Sequence, residues 1–391
     1  MKNMEGLYEP GEDTFLLASV LPNYRLGRVL EIGTGTGYIT AAAAKKAKHI
    51  LAVDVDSKAV KYCREHHKLD HVTFRQSDLF SRVSGRYDTI IFNPPYLPYD
   101  KREPKQSQLV TMGGKHGYEL LTKFIAKSPS FLTAHGRILI VFSSLTNKQK
   151  VDEAIISTML EKKQVVSRKI PFEELFVYCI RKSSLRQQLE KGGMKELFFF
   201  AKGKRGFVFT GLLRKKKVAV KVHNPQSPVL NALAREARML RFANRLGIGP
   251  RLIASGREYV IYQFVEGEQI SSKVASLSRN QLRLLIKRIG KQLFVLDKAG
   301  IAKEEMSNPY KHIIITSQLK PVLIDFERAR KTKTPHNVTQ FCSYLLHLQA
   351  QVKKRGIHFS RKDVIDWAKH YALLSPSKRE QHLNKLMHIL F

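Results

Sequence analysis

The chain has 391 residues, of which 43% are hydrophobic and 26% charged, and its formal net charge at pH 7 is +35. This length predicts two or three domains, while its three cysteines, which lack CxxC spacing, argue against a disulfide framework or a cysteine zinc site and for a reducing compartment. Because the N-terminus is acidic and no apolar run approaches the roughly 20 residues that span a bilayer, we expect a cytoplasmic protein without signal peptide or membrane contact.

Residues 28–184 alternate between strand-like and helix-like segments. A βαβαβ order of this kind predicts a doubly wound parallel sheet with helices on both faces. Ligands bind such a sheet beyond the carboxyl ends of its strands, so the residues that follow each strand are the candidates for a site. The strand-like runs are 28–33, 49–54, 71–78, 88–93 and 137–143, and the helix-like stretches include 39–47 and 57–68.

The first strand end is rich in glycine. In "LEIGTGTGYIT", Gly33, Gly35 and Gly37 follow the strand and precede a helix. Glycines there permit positive φ and let a ligand approach the backbone closely. Rossmann folds bind dinucleotides with the same device, so the glycines alone leave the ligand open.

Acidic residues stand at three successive strand ends. Glu31 can hold the ammonium of a ligand that carries an amino acid, Asp54 can accept both hydroxyls of a ribose, and Asp78 suits an adenine amino group. This order of acid, glycine turn, acid and acid favours S-adenosylmethionine over NAD as the cofactor. The alternative is that the acids only cap helices.

The fourth strand ends on Asn93, which is followed by Pro94, Pro95 and Tyr96. Because the prolines have no N–H group, this turn offers acceptors only: the side-chain oxygen of Asn93 and the carbonyl of Pro94. A planar NH2 group, as in glutamine or adenine, can donate one hydrogen to each and be aimed at a methyl donor, with Tyr96 beside it. This would be catalysis by positioning and electrostatics without a strong base. An ordinary surface turn is the alternative.

Six motifs together resemble the HemK-like methyltransferases: "YEPGEDTFLL", "EIGTGTG", "AVDVD", "SDLF", "NPPY" and "GGKHGYELL". The leading "YEPGEDTF" narrows the resemblance to the archaeal and eukaryal branch, which methylates a glutamine amide of the class 1 translation release factor. The resemblance covers about residues 1–184 and implies the class I S-adenosylmethionine-dependent methyltransferase fold, a Rossmann-like doubly wound sheet. Since NPPY is shared with adenine-N6 methyltransferases, a nucleic-acid methyltransferase whose basic second half binds RNA remains the alternative.

The resemblance also implies roles for particular residues and a partner. Asn93 would bind the substrate amide. Members of this branch often need a small zinc-binding activator protein, so we expect one here. The residues implied around the methyl donor are Thr14, Glu31, Gly33, Asp54, Asp78 and Leu79.

A polar stretch that ends in two glycines predicts a linker, 185–195, between a methyltransferase domain, 1–184, and a second domain, 196–391. In the second domain, 196–222 reads as antiparallel strands with turns, and a long helix is predicted at roughly 228–246. A strand pair follows, and the remainder is mainly helical.

Five residues of the second domain have the order of an ATP–Mg²⁺ site in protein kinases. Gly203 and Gly206 form a glycine turn, and Asp325 ends a late strand and is the candidate magnesium ligand. Lys221 lies inside an apolar strand, where an unpaired charge is costly, so Glu236 of the next helix is its predicted partner. Alternatively, the Lys221 ammonium reaches the surface.

In this order the set resembles the atypical small kinase-like proteins of archaea near the Bud32 and RIO groups, which implies an α+β kinase-like fold. Three departures leave phosphoryl transfer open: Ala201 replaces a loop glycine, DFG reads "DFE", and "GIAKEEMSNPYKHIII" stands in place of HxDxxxxN. Glu304 or Glu305 could replace the catalytic aspartate and Asn308 the metal-binding asparagine, although their spacing does not fit. We expect His312 to be packed or hydrogen-bonded.

Most of the excess positive charge belongs to the second half. Residues 1–190 contain 29 Lys and Arg against 20 Asp and Glu, whereas residues 191–391 contain 39 against 13. A field this positive favours polyanions and predicts contact with RNA or the ribosome. A generally basic proteome would explain the charge without such a partner.

Overall fold

The computed structural model describes residues 9–102, 108, 111–203, 206–224, 231–353 and 357–390. The chain divides into two compact units, Met1–Glu196 and Leu197–Phe391. Tyr8 of "YEPGEDTF" and the first residues of the helix predicted at 228–246 lie outside the described residues. None of the described helices combines the length and the hydropathy that a membrane crossing requires.

The first unit consists of six described α-helices and seven strands. The helices are α1 (Glu12–Val20), α2 (Tyr38–Ala44), α3 (Ser57–His66), α4 (Glu119–Lys127), α5 (Lys148–Ser157) and α6 (Ser184–Lys191). The strands are β1 (Gly27–Ile32), β2 (Ala47–Asp54), β3 (Val72–Gln76), β4 (Tyr87–Phe92), β5 (Leu132–Ser143), β6 (Leu160–Ile170) and β7 (Glu173–Lys182).

The seven strands form one sheet in the order β3-β2-β1-β4-β5-β7-β6. The first five are parallel, and β7 runs antiparallel to both of its neighbours. The strand order reverses between β1 and β4, which pair as far as Ile32 and Phe92 at their carboxyl ends. A doubly wound sheet binds its ligands at such a reversal, so the predicted sheet is confirmed and its binding edge located.

Strand β4 shows why its sequence is continuously apolar. Successive side chains of a strand point to opposite faces. Ile90 packs with Phe124 of α4 in one core, whereas Ile91 packs with Val60 of α3 in the other. Helices therefore cover both faces of the strand, and the apolar run ends where the sheet ends, at Asn93.

The segment predicted to be a linker, 185–195, contains helix α6. The Ser183 hydroxyl caps this helix by accepting a hydrogen bond from the Arg186 N–H. One carboxylate, that of Glu190, meets Lys182 Nζ at 2.7 Å and Arg186 Nε at 2.8 Å. Both cationic side chains are almost fully buried. The polar residues that suggested a solvated connection thus fix α6 to the end of β7.

The second unit is built from ten strands and six described helices. The strands are β8 (Met194–Lys202), β9 (Gly206–Leu213), β10 (Lys216–His223), β11 (Leu252–Ser255), β12 (Tyr259–Gln263), β13 (Glu268–Gln269), β14 (Ile301–Ala302), β15 (Ile313–Ile315), β16 (Pro321–Leu323) and β17 (Arg330–Lys331). The helices are α7 (Ala232–Arg245), α8 (Ile270–Val274), α9 (Arg279–Lys298), α10 (Asn337–Lys353), α11 (Arg361–Leu373) and α12 (Pro376–Leu390).

A five-stranded sheet in the order β11-β12-β10-β9-β8 opens this unit. Strand β10 is antiparallel to both β9 and β12, and α7 packs on the sheet through Leu233 and Ala237 against Val260. Most of the remaining chain is helical, with a core that includes Leu293 of α9 and Phe341 of α10. The predicted antiparallel strands, long helix and helical remainder are confirmed, as is the α+β character of the unit.

Candidate active site

A cavity of about 1060 Å³ lies at the carboxyl ends of β1, β2, β3 and β4 in the first unit. It brings together the residues predicted to bind the methyl donor with those predicted to bind the acceptor; Gly37 alone among them is not part of the wall. The predicted residues in the wall are Thr14, Glu31, Gly33, Gly35, Asp54, Asp78, Leu79, Asn93, Pro94 and Tyr96.

The glycine turn after β1 requires the left-handed backbone that glycine permits. Gly33, Gly35 and Gly37 have φ values of 70°, 53° and 79°. A Cβ on Gly37 would lie 2.7 Å from the His67 ring, so this glycine allows α2 to begin close to α3. A Cβ on Gly33 would lie 3.9 Å from the Asn93 carbonyl oxygen, which places the turn beside the residue that follows β4.

Glu31 lies deep in the cavity wall, where its side chain is almost fully buried. Its Oε2 accepts hydrogen bonds from the hydroxyls of Thr34 and Thr40. Burial raises the pKa of Glu31 to about 8, so the carboxyl group is mainly protonated at neutral pH. A cation brought next to it would favour the ionised form.

Asp54 receives two backbone hydrogen bonds, one on each carboxylate oxygen. Gly35 N–H donates to Oδ2 and Asp56 N–H donates to Oδ1, both at 2.9 Å. Burial raises the pKa of Asp54. The carboxylate is therefore fixed at the end of β2, facing the cavity.

Asp78 and Leu79 form the wall beyond β3. Asp78 is exposed, and the buried Leu79 has a φ of 47°, which is uncommon for a residue with a branched side chain. This backbone turn presents an acidic side chain next to an apolar one, a combination that suits the amino group and the ring of an adenine.

Asn93 is oriented by α1. Its Nδ2 donates to the Thr14 hydroxyl at 3.1 Å, which directs Oδ1 the other way. Among the described residues, no group donates a hydrogen bond to this buried Oδ1. A buried polar atom without a partner is unfavourable, so the cavity contains an acceptor that awaits an N–H donor.

Asp13 organises the site and was missed by sequence reasoning. Its Oδ1 accepts from the Thr14 N–H at 2.6 Å, and its Oδ2 accepts from the Tyr96 hydroxyl at 3.2 Å. Asp13 thus ties the start of α1 to the Asn-Pro-Pro-Tyr turn. Its only signal was its place in "GEDTF", one residue before Thr14.

In the second unit, the predicted lysine and its partner meet. Lys221 Nζ lies 2.7 Å from Glu236, 3.0 Å from Asp325 and 3.1 Å from Glu327, a third carboxylate that sequence reasoning missed. Burial alone would lower the pKa of Lys221, but the surrounding carboxylates, Glu236 first, raise it well above its ordinary value. This lysine is therefore charged and paired inside the unit, which excludes the alternative that its ammonium reaches the surface.

The predicted glycine turn joins β8 to β9. Gly203 N–H donates to the Gly206 carbonyl at 2.8 Å. A Cβ on Gly206 would lie 2.5 Å from the Val222 carbonyl oxygen, so the close pairing of β9 with β10 requires glycine there. Residues 204 and 205 lie outside the described residues.

The altered loop before β15 places a histidine near Asp325. Asn308, whose spacing did not fit the usual motif, is exposed. His312, which was expected to be packed or hydrogen-bonded, is partly buried and has its Nδ1 3.8 Å from Asp325 Oδ2. His312 Nε2 lies 3.2 Å from Glu305, while Glu304 pairs with Arg330 instead. The histidine occupies this place because it directly precedes β15, next to the strand end that carries Asp325.

Lys303 is a further residue that the sequence did not single out. It is fully buried, and its Nζ donates to the backbone carbonyl of Asp325 at 2.7 Å. Burial lowers the pKa of Lys303 to about 8. The lysine supports the backbone at the end of the late strand.

Comparison with known proteins gives two families. A family model of the methyltransferase small domain matches residues 9–173, and one of the phosphotransferase enzyme family matches residues 206–312. The second match ends at His312, before Asp325.

Individual relatives match the first unit. A candidate protein N5-glutamine methyltransferase of Methanocaldococcus jannaschii is 43% identical over 176 residues, which are 44% of this chain and 89% of that protein. A release factor glutamine methyltransferase of Fusobacterium nucleatum is 30% identical over 143 residues, 31% of this chain and 40% of that protein.

Among solved structures, the E. cuniculi Mtq2–Trm112 complex, described as responsible for methylating the termination factor eRF1, has 25% identity and a TM-score of 0.38. The alignment covers 46% of this chain and 99% of that one.

The sheet order, the cavity at the strand ends and the long match to the M. jannaschii protein agree with one another. The first unit has the class I S-adenosylmethionine-dependent methyltransferase fold, and the second has a kinase-like fold, of which residues 206–312 match the phosphotransferase model. Through its first unit, this chain belongs to the HemK-like protein N5-glutamine methyltransferases.

Proposed function

We propose that the first unit transfers a methyl group from S-adenosylmethionine to the side-chain amide nitrogen of a glutamine in a class 1 translation release factor. The observation that carries the proposal is the buried Oδ1 of Asn93, which no described group satisfies and which Thr14 holds toward the cavity. The relatives named above provide the substrate class, since one of them is a release factor glutamine methyltransferase.

The chain's own residues would hold the acceptor rather than deprotonate it before the transfer. The nitrogen would form its bond to the methyl carbon as that carbon's bond to sulfur breaks, and the methylated nitrogen would then lose one hydrogen as a proton to water. Asn93 Oδ1 and the Pro94 carbonyl each accept one hydrogen of the glutamine NH2 group, and Tyr96 flanks the side chain. This pulls the hydrogens from the plane of the amide, so that the nitrogen lone pair is less delocalised and points at the methyl group. When bound, S-adenosylmethionine supplies that methyl group on a positively charged sulfur.

The wall residues divide the donor between them. Glu31 would hold the ammonium group of S-adenosylmethionine, Asp54 its ribose hydroxyls and Asp78 its adenine. The ligand would lie close to the backbone of the glycine turn. The fit rests on two observations: the protonated, buried Glu31 and the carboxylate of Asp54 that backbone N–H groups hold in the wall.

The function is tested with purified release factor and labelled S-adenosylmethionine. We expect label in one tryptic peptide, with mass spectrometry placing the methyl group on a glutamine side chain. A release factor with that glutamine replaced by alanine should remain unlabelled. Label found as N6-methyladenine in RNA or DNA would instead assign the adenine-N6 reaction.

We expect Glu31 to release close to one proton when S-adenosylmethionine binds at pH 6.5. Its pKa of about 8 keeps the free carboxyl protonated there, whereas an adjacent ammonium favours the carboxylate. Because the donor binds to the deprotonated form, its affinity should rise with pH toward about 8. Isothermal titration in two buffers with different ionisation enthalpies counts the protons.

The matched variant is Glu31→Gln, which keeps the size of the side chain and cannot release a proton. It should bind the donor more weakly and with no proton release at pH 6.5. Equal proton release by the variant and the wild-type chain would assign the proton to another group.

We propose that the second unit binds ATP, with Lys221 contacting its phosphates and Asp325 holding Mg²⁺. The support is the ion pair between Lys221 and Glu236 beside Asp325, which is the arrangement that positions ATP in protein kinases. The variant Lys221→Met should lower the affinity for a fluorescent ATP analogue at least tenfold. Transfer of label from ATP by the wild-type chain, lost in Asp325→Ala, would extend the proposal to phosphoryl transfer.

We propose that helix α7 contacts RNA. Arg235, Arg238, Arg241 and Arg245 follow one another at helical spacing and are all exposed, whereas the only acidic residue of the helix, Glu236, is buried. Four arginines on one face of a helix match the phosphates of a nucleic-acid backbone better than a small ligand.

Removing two of these charges should reduce the salt dependence of RNA binding. For Arg238→Gln with Arg241→Gln, the slope of log affinity against log salt should become shallower by about 1 to 2, because each phosphate contact contributes roughly 0.7 to 0.9. The control is Arg25→Gln with Arg181→Gln, which removes the same charge from the first unit. Equal slopes for the two double variants would rule out a contact at α7.

We further propose a small zinc-binding activator protein as a partner and the cytoplasm of an archaeon as the location. All three cysteines are free and buried, which agrees with a reducing compartment. Co-expression followed by size-exclusion chromatography tests the partner. We also propose that the two compact units are separate domains, a methyltransferase and a kinase-like domain.

A further inference from the structure

Two side chains of the second unit, His312 and Glu305, lie together on one side of Asp325. His312 Nδ1 lies 3.8 Å from Asp325 Oδ2, and His312 Nε2 lies 3.2 Å from Glu305 Oε2. One ligand atom of each residue can be chosen so that all three lie within 4.8 Å of one another. An imidazole between two carboxylates is a set of donors that a metal ion can use.

The imidazole is held in a way that leaves one nitrogen unsatisfied. Nε2 is within hydrogen-bond reach of Glu305, whereas Nδ1 is buried and has no hydrogen-bond partner among the described residues. With the proton on Nε2, a lone pair on Nδ1 faces the carboxylate of Asp325. At 3.8 Å the two atoms are too far apart for a hydrogen bond, but two bonds of about 2.1 Å to one metal ion span that distance.

Asp325 has two different sides. Its Oδ1 faces the ammonium of Lys221, which also meets Glu236 and Glu327. That group of carboxylates already surrounds a cation. Oδ2 points to the other side, where its neighbour is the unpaired His312 nitrogen and not a cation such as Lys221.

The backbone at this place is strained. Glu305 and Asp325 both have a φ of 61°, a left-handed conformation that is unfavourable for a non-glycine residue. Such residues cluster where a ligand is held, because the surrounding structure fixes the side chains in the required positions. Here the strain affects two of the three converging residues.

We propose that His312 Nδ1 and Asp325 Oδ2 bind a divalent first-row transition-metal ion, with Glu305 orienting the imidazole through Nε2. In metal sites, the ring nitrogen of a ligating histidine that does not bind the metal commonly donates its N–H to a carboxylate. Mg²⁺ prefers oxygen ligands and a near-ideal octahedron, whereas Mn²⁺ accepts carboxylate together with imidazole. The site therefore selects Mn²⁺, in place of the Mg²⁺ proposed above for Asp325, unlike a site built from aspartate and asparagine.

This inference rests on the nucleotide site proposed above, because both include Asp325. Its test needs no nucleotide. Loss of Mn²⁺ binding and loss of ATP binding are separate results, and neither bears on methyl transfer by the first unit.

The experiment titrates the metal-free full chain with Mn²⁺ and follows the free ion by electron paramagnetic resonance. We expect the wild-type chain to bind Mn²⁺ and to keep it bound in a tenfold excess of Mg²⁺. Pulsed spectra of the bound Mn²⁺ should show coupling to an imidazole nitrogen. His312→Ala should lower the affinity at least tenfold and remove the nitrogen coupling. Glu305→Gln, which leaves the ligating atoms in place, should have a smaller effect and keep the coupling.

His312→Asn provides an oxygen donor of similar reach, so the ratio of Mn²⁺ to Mg²⁺ affinity should fall at least tenfold while the fold is retained. The control is His358→Ala, an exposed histidine of the same unit. The proposal is overturned if wild-type chain binds no Mn²⁺ at millimolar concentration, if bound Mn²⁺ shows no nitrogen coupling, or if His312→Ala and His358→Ala bind equally.

Discussion

Replacing Asn93 by alanine should lower the rate of methyl transfer about 100-fold or more while leaving the affinity for S-adenosylmethionine nearly unchanged. The side chain offers an acceptor to the substrate amide and, by our proposal, acts mainly in the transition state. Losing one preorganised hydrogen-bonding group of this kind typically costs a factor of 100 to 1000 in rate. Single-turnover kinetics with release factor measures the rate, and isothermal titration measures donor binding.

The control for this prediction is Asn147→Ala. Asn147 caps α5 by accepting a hydrogen bond from the Lys150 N–H and lies outside the cavity wall. The same substitution there should cost some stability and little rate. If Asn93→Ala methylates as fast as Asn147→Ala, the amide is not held by Asn93.

Replacing Glu190 by alanine should destabilise the first unit by about 3 kcal/mol, because it leaves two buried cations without their carboxylate. The Lys182 side chain is 0% exposed and that of Arg186 is 5% exposed. The loss is placed at the lower end of the usual range because Glu190 itself is 22% exposed and Lys182 keeps a hydrogen bond to the Leu132 carbonyl. The measurement is urea unfolding, with an expected midpoint shift of roughly 1–2 M.

The chain contains a means to follow the two units separately. Its single tryptophan, Trp367, lies in the second unit, so its fluorescence reports that unit, whereas hydrogen exchange of peptides from β7 and α6 reports the first. Only the second of these signals should shift in Glu190→Ala. The matched control is Glu65→Ala, which breaks another pair four residues apart, Lys61–Glu65, whose members are 80% and 56% exposed. That loss should stay below about 0.5 kcal/mol.

A triple replacement distinguishes two causes of the lost stability: the burial of unpaired charges and the loss of packing by helix α6. Changing Lys182 to Met, Arg186 to Leu and Glu190 to Leu removes all three charges and should recover most of the stability, since apolar side chains can fill such a site. A triple variant as unstable as Glu190→Ala would mean that packing of α6, and not an unpaired charge, explains the loss.

The strand ends of the first unit could be predicted because a parallel sheet repeats one rule. The parallel strands end at one edge of the sheet, so the acidic and amide residues at or near those ends mark where ligands bind. This placed Glu31, Asp54, Asp78 and Asn93 in one wall before any coordinates. Gly37 followed the same pattern but serves the packing of α2, because its neighbour His67 comes from a helix whose position the sequence does not reveal.

What escaped prediction depends on contacts between distant segments. The Asp13–Tyr96 hydrogen bond joins residues 83 positions apart, and the pairing of Lys182 and Arg186 with Glu190 looks like a solvated linker when only composition is read. The approach of His312 to Asp325 was likewise not predicted, because the usual motif spacing does not fit a loop in which Glu304 and Glu305 both have left-handed φ values.

The hydrogen bonds of Asp13 have a kinetic consequence. Helix α1 contributes both Thr14, which lies in the cavity wall and orients Asn93, and Asp13, which accepts a hydrogen bond from Tyr96; we propose that Thr14 contacts the methyl donor and Tyr96 the acceptor. A shift of α1 when the first reactant binds would therefore change the positions of the groups that contact the second reactant. The two reactants should bind in a compulsory order, with the methyl donor entering first and the demethylated product leaving last.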